Sequence, residues 1–181
     1  MEGTFRIGRI FGFNVNIHWS WVFIFFLVTW TFADGILQEL YPDWTGSRRW
    51  VVGGAIALVF FFSILLHELS HSVMARRYGI PVSSITLFVF GGVSNLAKEP
   101  ASAREEFWVA IAGPLVNVVI ATALWAGLVL RGGDFALATD GLMRGTFPER
   151  LLWVNVAMVV FNMLPAFPMD GGRVVRALLA T

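Results

Sequence analysis

The feature that most constrains this chain is a long apolar run, about Trp50 to Met74, that carries His67-Glu68-Leu69-Ser70-His71 in its last turns before Arg76-Arg77 stops it. A run of this length crosses a bilayer as a tilted helix. A helix satisfies its own backbone hydrogen bonds, which hydrocarbon cannot do for it. On that helix His67 and His71 fall on one face about one turn apart, so both imidazoles can reach a single ion. Further apolar stretches cover about 17–34, 107–130 and 150–168. With 57% hydrophobic and 14% charged residues and a mean hydropathy of +0.71, a soluble domain of 181 residues could not hide its apolar surface. The expected fold class is an α-helical integral membrane protein of about four transmembrane helices. A short membrane-associated β-hairpin or sheet completes a single unit, 1–181.

The same composition excludes other classes. A net charge of +1, with no basic stripe along the chain, gives no footprint for nucleic acid. Zero cysteine removes disulfides and thiolate metal sites, so any ligands must be His and carboxylate. The N-terminus lacks the features of a removable signal peptide. Residues Arg9 to Ile17 alternate loosely, as one short strand would. His18, amid Trp19, Trp21 and Trp30, fits an interfacial anchor better than a third metal ligand. Tyr78-Gly79-Ile80-Pro81 ends the histidine-bearing helix. Val82 to Leu96 reads as two strands joined at Gly91-Gly92, a hairpin of about 82–96 whose edge could hold an extended peptide. Arg131 to Arg150 reads as a Gly-rich loop without catalytic signature. Arg6, Arg9, Arg76, Arg77, Lys98, Arg104, Arg173 and Arg176 fall on one side of the membrane, against Arg48, Arg49, Arg131, Arg144 and Arg150 on the other. This bias makes the N-terminus and the histidine side cytoplasmic, in a multi-pass protein of the cell membrane.

Two histidines are too few for a catalytic zinc, which takes three protein ligands and one open position. Asp170 is the best third ligand, because it closely follows the last span and comes to the depth of His67 and His71 on the same side. Glu68 is left off the metal as general base, able to take a proton from water. Ionisable groups at this depth are costly, which favours a functional role for all four residues. Hydrolysis of an amide also needs a donor for the developing oxyanion. Asn162 is the first choice and Asn117 the second, with an interhelical hydrogen bond the competing role for either. Asn155 is expected to have only that structural role.

Taken together, HELSH in one span, Ala112-Gly113-Pro114-Leu115-Val116-Asn117 in the next and Asn162-Met163-Leu164-Pro165-Ala166-Phe167-Pro168-Met169-Asp170-Gly171-Gly172 in the last resemble the site-2 protease family of intramembrane zinc metalloproteases. Gly91-Gly92-Val93 is similar to part of that family's membrane-associated sheet. The resemblance implies zinc on His67, His71 and Asp170, with Glu68 activating water and Asn162 and Pro168 near the substrate. It implies an endopeptidase acting in regulated intramembrane proteolysis. Its substrate would be a transmembrane segment, often of an anti-sigma factor or a membrane-tethered regulator. No PDZ-sized insertion separates the spans, as in the compact branch, whose members often carry CBS domains. That branch usually has two further spans after the D-G motif, so the sequence reads as a core fragment or a minimal form. A divalent-metal transporter or an inactive scaffold that grips membrane segments are the alternatives, and a homo-oligomer is left open.

Overall fold

The computed structural model describes residues 3–89, 91–131 and 145–180. Most of the expected Gly-rich loop, 132–144, lies outside the described residues. In chain order, β1 (Thr4–Ile10) and β2 (Phe13–His18) form a hairpin, and α1 (Trp19–Leu40) follows without a linker. Then come α2 (Gly46–Arg77), β3 (Val82–Phe88), β4 (Gly91–Leu96), α3 (Ala103–Leu130), α4 (Phe147–Asn162) and α5 (Asp170–Leu179).

Local chemistry sets these boundaries. The Thr45 hydroxyl caps α2 by accepting the Arg48 N–H, and the helix ends in a Schellman turn. Gly79 takes a φ of +67°, its N–H reaches the Arg76 carbonyl, and the Ile80 N–H reaches that of Ala75, both at 3.0 Å. The left-handed position suits glycine, and Ile80 folds back beside Met74 and Ala75 as such turns favour. Ser102 caps α3, while Thr146 and Glu149 form a capping box on α4. Within α1, Thr31–Ile36 widens into a π-helical stretch.

Among the described residues, three helices are long and apolar enough to cross a membrane: Trp19–Leu40, Gly46–Arg77 and Ala103–Leu130. Large apolar side chains on α1 (Phe23, Phe26, Trp30) and α3 (Val119, Trp125, Val129) are exposed, a surface that lipid solvates and water does not. The chain is a membrane protein. The expected fourth span, 150–168, is shorter in the structure: α4 has 16 residues, about 24 Å of helix, and ends at Asn162. Pro165 and Pro168 lie in the loop beyond it.

The sheet is larger than the expected hairpin. All four strands join in the order β1-β2-β3-β4, with β2 parallel to β3 and the outer pairs antiparallel. The single strand expected at Arg9 to Ile17 is two, turning at Phe11-Gly12, where both residues have positive φ. Gly91 and Gly92 do not make the β3–β4 turn. They open β4, paired with Phe88 and Leu87. Alternate residues Phe13, Val15, Ile85 and Leu87 turn one face of the sheet onto Phe61, Ile64, Leu65 and Leu69 of α2. A period of two thus meets a period of 3.6. Residues 65 and 69 lie on the opposite side of the helix from His67, so α2 is held between the sheet and α3.

Candidate metal centre

Because the sheet takes the Leu65 and Leu69 face of α2, His67 and His71 point at α3. There Gly113 makes room: a Cβ at that position would stand 2.3 Å from His71 Nε2 and 2.6 Å from His67 Nε2. Pro114 follows and lacks the N–H that would bond the Ala110 carbonyl. In the same turns the carbonyl of Val109 accepts the His71 Nδ1 hydrogen at 2.7 Å, and that of Ala112 accepts the Ser70 hydroxyl at 3.0 Å. His67 Nδ1 is 2.7 Å from Asn117 Oδ1. With both Nδ1 atoms donating, the Nε2 lone pairs face each other across 3.1 Å.

Asp170 completes the cluster. Its Oδ2 is 3.1 Å from His67 Nε2 and 3.2 Å from His71 Nε2, and all three residues are buried. The sequence expected Asp170 behind a proline-broken helix, and the structure makes it the first residue of α5. Two glycines allow that placement, since a Cβ at Gly171 would stand 2.4 Å from the Leu164 carbonyl oxygen, and one at Gly172 2.7 Å from that of Ala166. Glu106, nearly buried on α3, holds the helix by hydrogen-bonding Arg176, with Arg173 Nε at 3.9 Å. Burial alone would push the Asp170 carboxyl up. When the imidazoles are protonated, their hydrogen bonds and charge outweigh it and hold the group well below the usual carboxylate range.

The residues fit a zinc ion. Bonds of about 2.0 to 2.1 Å in a tetrahedral site put neighbouring ligand atoms about 3.3 Å apart, close to the 3.1 to 3.2 Å edges of this triangle. Two neutral imidazoles and a carboxylate are suitable donors, and the Gly113 cradle keeps carbon away from them.

Beside the triangle lies a cavity of about 610 Å³, lined among others by Glu68, Ser94, Asn162, Pro168 and Arg173. Glu68 reaches it from α2, and its Oε2 accepts the Ser94 hydroxyl at 3.0 Å. Ser72 Oγ lies 3.0 Å from Ser94 Oγ, bracing the pair. Gly92 lets β4 pass so close that a Cβ there would stand 2.3 Å from Glu68 Cγ. Asn162 spends one amide hydrogen on the Met158 carbonyl at 2.9 Å.

The structure therefore brings His67, His71 and Asp170 together and puts Glu68, Asn162 and Pro168 on one cavity. It does not bring Asn117 there as an oxyanion donor. Asn117 is fully buried, its oxygen engaged by His67 and its nitrogen by Asn155 at 2.8 Å. His18 does not join the cluster: among the described residues the group able to hold an ion is His67, His71 and Asp170, while His18 bonds Ser20 at the start of α1. Sequence reasoning missed Ser72, Ser94, Glu106 and Arg173, whose partners are distant in the chain. Gly113 carried a signal, a small residue before proline in the span that follows the histidine-bearing helix.

Comparison with known proteins gives the family. The family described as Peptidase family M50 matches residues 55–146, which include the histidine pair, β4 and all of α3. A solved site-2 protease from Methanocaldococcus jannaschii superposes with a TM-score of 0.66 at 30% identity, over 97% of this chain and 71% of that one. The chain belongs to peptidase family M50. A zinc metalloprotease of the same archaeon, MJ0392, is 33% identical over 180 residues, 99% of this chain and 47% of the relative. A Synechocystis relative is 36% identical over 179 residues, 99% of this chain and 45% of its own length. Stage IV sporulation protein FB of Bacillus subtilis is 27% identical over 124 residues. The chain spans about half the length of the curated relatives it matches.

Proposed function

We propose that this M50 chain is a zinc endopeptidase that hydrolyses a peptide bond within or near a transmembrane segment of another membrane protein. The observation that carries the reading is the convergence of His67 Nε2, His71 Nε2 and Asp170 Oδ2 at 3.1 to 3.2 Å on a cavity that also holds Glu68. A zinc ion held by these three groups would supply Lewis-acid polarisation of the scissile carbonyl and lower the pKa of water. Glu68 takes the proton of the attacking water and returns it to the leaving amine. Ser94 aims that carboxylate. The second amide hydrogen of Asn162 serves the oxyanion, and Pro168 lines the space for substrate.

A helical segment hides its peptide bonds within its own hydrogen bonds, so it must unwind to be cut. β4 is the edge of the sheet beside the cavity, and an extended peptide can replace lost helical hydrogen bonds by adding to it as a further strand. His67 lies about 14 Å of helix before Arg76, by a rise of about 1.5 Å per residue. The arginine and lysine bias puts this end and the N-terminus in the cytoplasm. An anti-sigma factor or a membrane-tethered regulator suits such a site as substrate.

Glu68→Gln separates this reading from metal transport or passive binding. Zinc content of the purified variant should match wild type while cleavage of a transmembrane substrate falls at least about 100-fold. Unchanged cleavage would remove Glu68 from the chemistry.

A further inference from the structure

We propose that Asn155 is a positioning residue for the metal centre, the origin of a one-way hydrogen-bond relay that decides which ring nitrogen of His67 is offered to the ion. The inference rests on His67 being a zinc ligand. The relay runs across α4, α3 and α2. Asn155 Nδ2 donates to the Leu151 carbonyl at 2.8 Å. Asn155 Oδ1 accepts from Asn117 Nδ2 at 2.8 Å. Asn117 Oδ1 then accepts from His67 Nδ1 at 2.7 Å.

Chemistry fixes its direction. A backbone carbonyl can only accept, so the Asn155 nitrogen must face Leu151 and its oxygen must face Asn117. Ser63 supports the same orientation: its hydroxyl lies 3.4 Å from Asn155 Nδ2 and is itself engaged as a donor by the Val59 carbonyl. Asn117 must then turn its nitrogen to Asn155, and the Met158 sulfur, an acceptor at 3.4 Å, agrees. Its oxygen is left for His67, which keeps its proton on Nδ1 and its lone pair on Nε2. Both asparagines are fully buried, so no bulk solvent compensates a reversed amide. His71 needs no relay, because the Val109 carbonyl takes its Nδ1 hydrogen directly. Without Asn155, only the weak acceptor Met158 Sδ at 3.4 Å opposes reversal of the Asn117 amide, which can then present its NH₂ to Nδ1. The proton of His67 then moves to Nε2 and occupies the ligand position. Partners one shell behind a metal ligand, as Asn117 is here, typically carry about 10- to 100-fold in affinity, and Asn155 acts through Asn117.

The test uses the full chain in detergent, with zinc dissociation constants from chelator competition and the visible spectrum of the cobalt-loaded protein. Asn155→Leu should weaken zinc about 10- to 100-fold and change the cobalt spectrum. Asn155→Ala gives the same comparison if the leucine variant does not fold. In an Asn117→Asp background either carboxylate oxygen accepts from Nδ1, so orientation no longer matters. There, adding Asn155→Leu should cost about twofold or less. An equal loss in both backgrounds marks a merely structural effect and overturns the inference, as does an unchanged affinity and spectrum. A wild type that takes up no zinc overturns the metal reading, and this inference with it.

Discussion

Replacing Gly113 by alanine adds one methyl at the place where the fold has least room for it. The new carbon would stand 2.3 Å from His71 Nε2 and 2.6 Å from His67 Nε2, where ordinary contact begins at 3.4 Å. The imidazoles must therefore withdraw by 1.1 Å (3.4 − 2.3) and 0.8 Å (3.4 − 2.6). Metal sites tolerate departures of only about 0.2 Å in bond length, so at least one histidine leaves the ion. Zinc affinity should fall at least about 100-fold, or about 2.8 kcal/mol. The metal-free fold responds differently. Alanine favours a helix over glycine by up to about 1 kcal/mol, against about 1 to 3 kcal/mol for overpacking. The imidazoles, released from metal, can rotate to relieve much of the latter. Chelator competition and thermal unfolding of the metal-free protein should thus part company, with affinity lost and unfolding nearly unchanged. A Gly113→Ala protein that binds zinc as wild type does would refute the placement of both Nε2 atoms against α3.

Other perturbations divide the site into parts. Gly92→Ala aims a methyl at Glu68 Cγ, so cleavage should drop at least about 100-fold while zinc content, measured by elemental analysis, stays stoichiometric. Glu106→Ala removes the tie from α3 to Arg176 and Arg173 of α5. Zinc affinity should weaken about 10-fold, and adding Arg176→Ala should cost little more, because the two act as one contact.

Much of this arrangement was legible in the sequence, for reasons that can be named. The spacing of His67 and His71 needs only a helix to become geometry, and the apolar run around it guarantees one. Asp170 was found by depth, since a charged border after the last span fixes its height in the membrane. What the sequence could not supply was lateral placement. By sequence, Asn117 stands between oxyanion donor, behind Asn162, and interhelical hydrogen bond, because an asparagine in a span serves catalysis and helix packing equally well. Only the neighbours on α2 and α4 show that both ends of its amide are taken. Ser94 and Glu106 escaped for the same reason, being ordinary surface types whose partners, Glu68 and Arg176, lie on other elements. The N-terminal hairpin was half seen: β2 alternates against α2, whereas β1 leaves Phe5 and Ile7 exposed and gives no clean pattern. The shorter α4 follows from proline chemistry. Pro165 and Pro168 cannot donate to a helical ladder, and the chain needs that irregular loop to bring Asp170 back under the histidines.

The claim on which the account depends is that α2 and α5 together hold one zinc ion. X-ray absorption at the zinc edge of the purified protein tests it most directly, on wild type and on Asp170→Ala. The account predicts two imidazole nitrogens and a carboxylate oxygen at about 2.0 to 2.1 Å, with the carboxylate contribution missing from the variant and its zinc more easily removed. Zinc bound without imidazole, or a coordination sphere indifferent to Asp170, would contradict it.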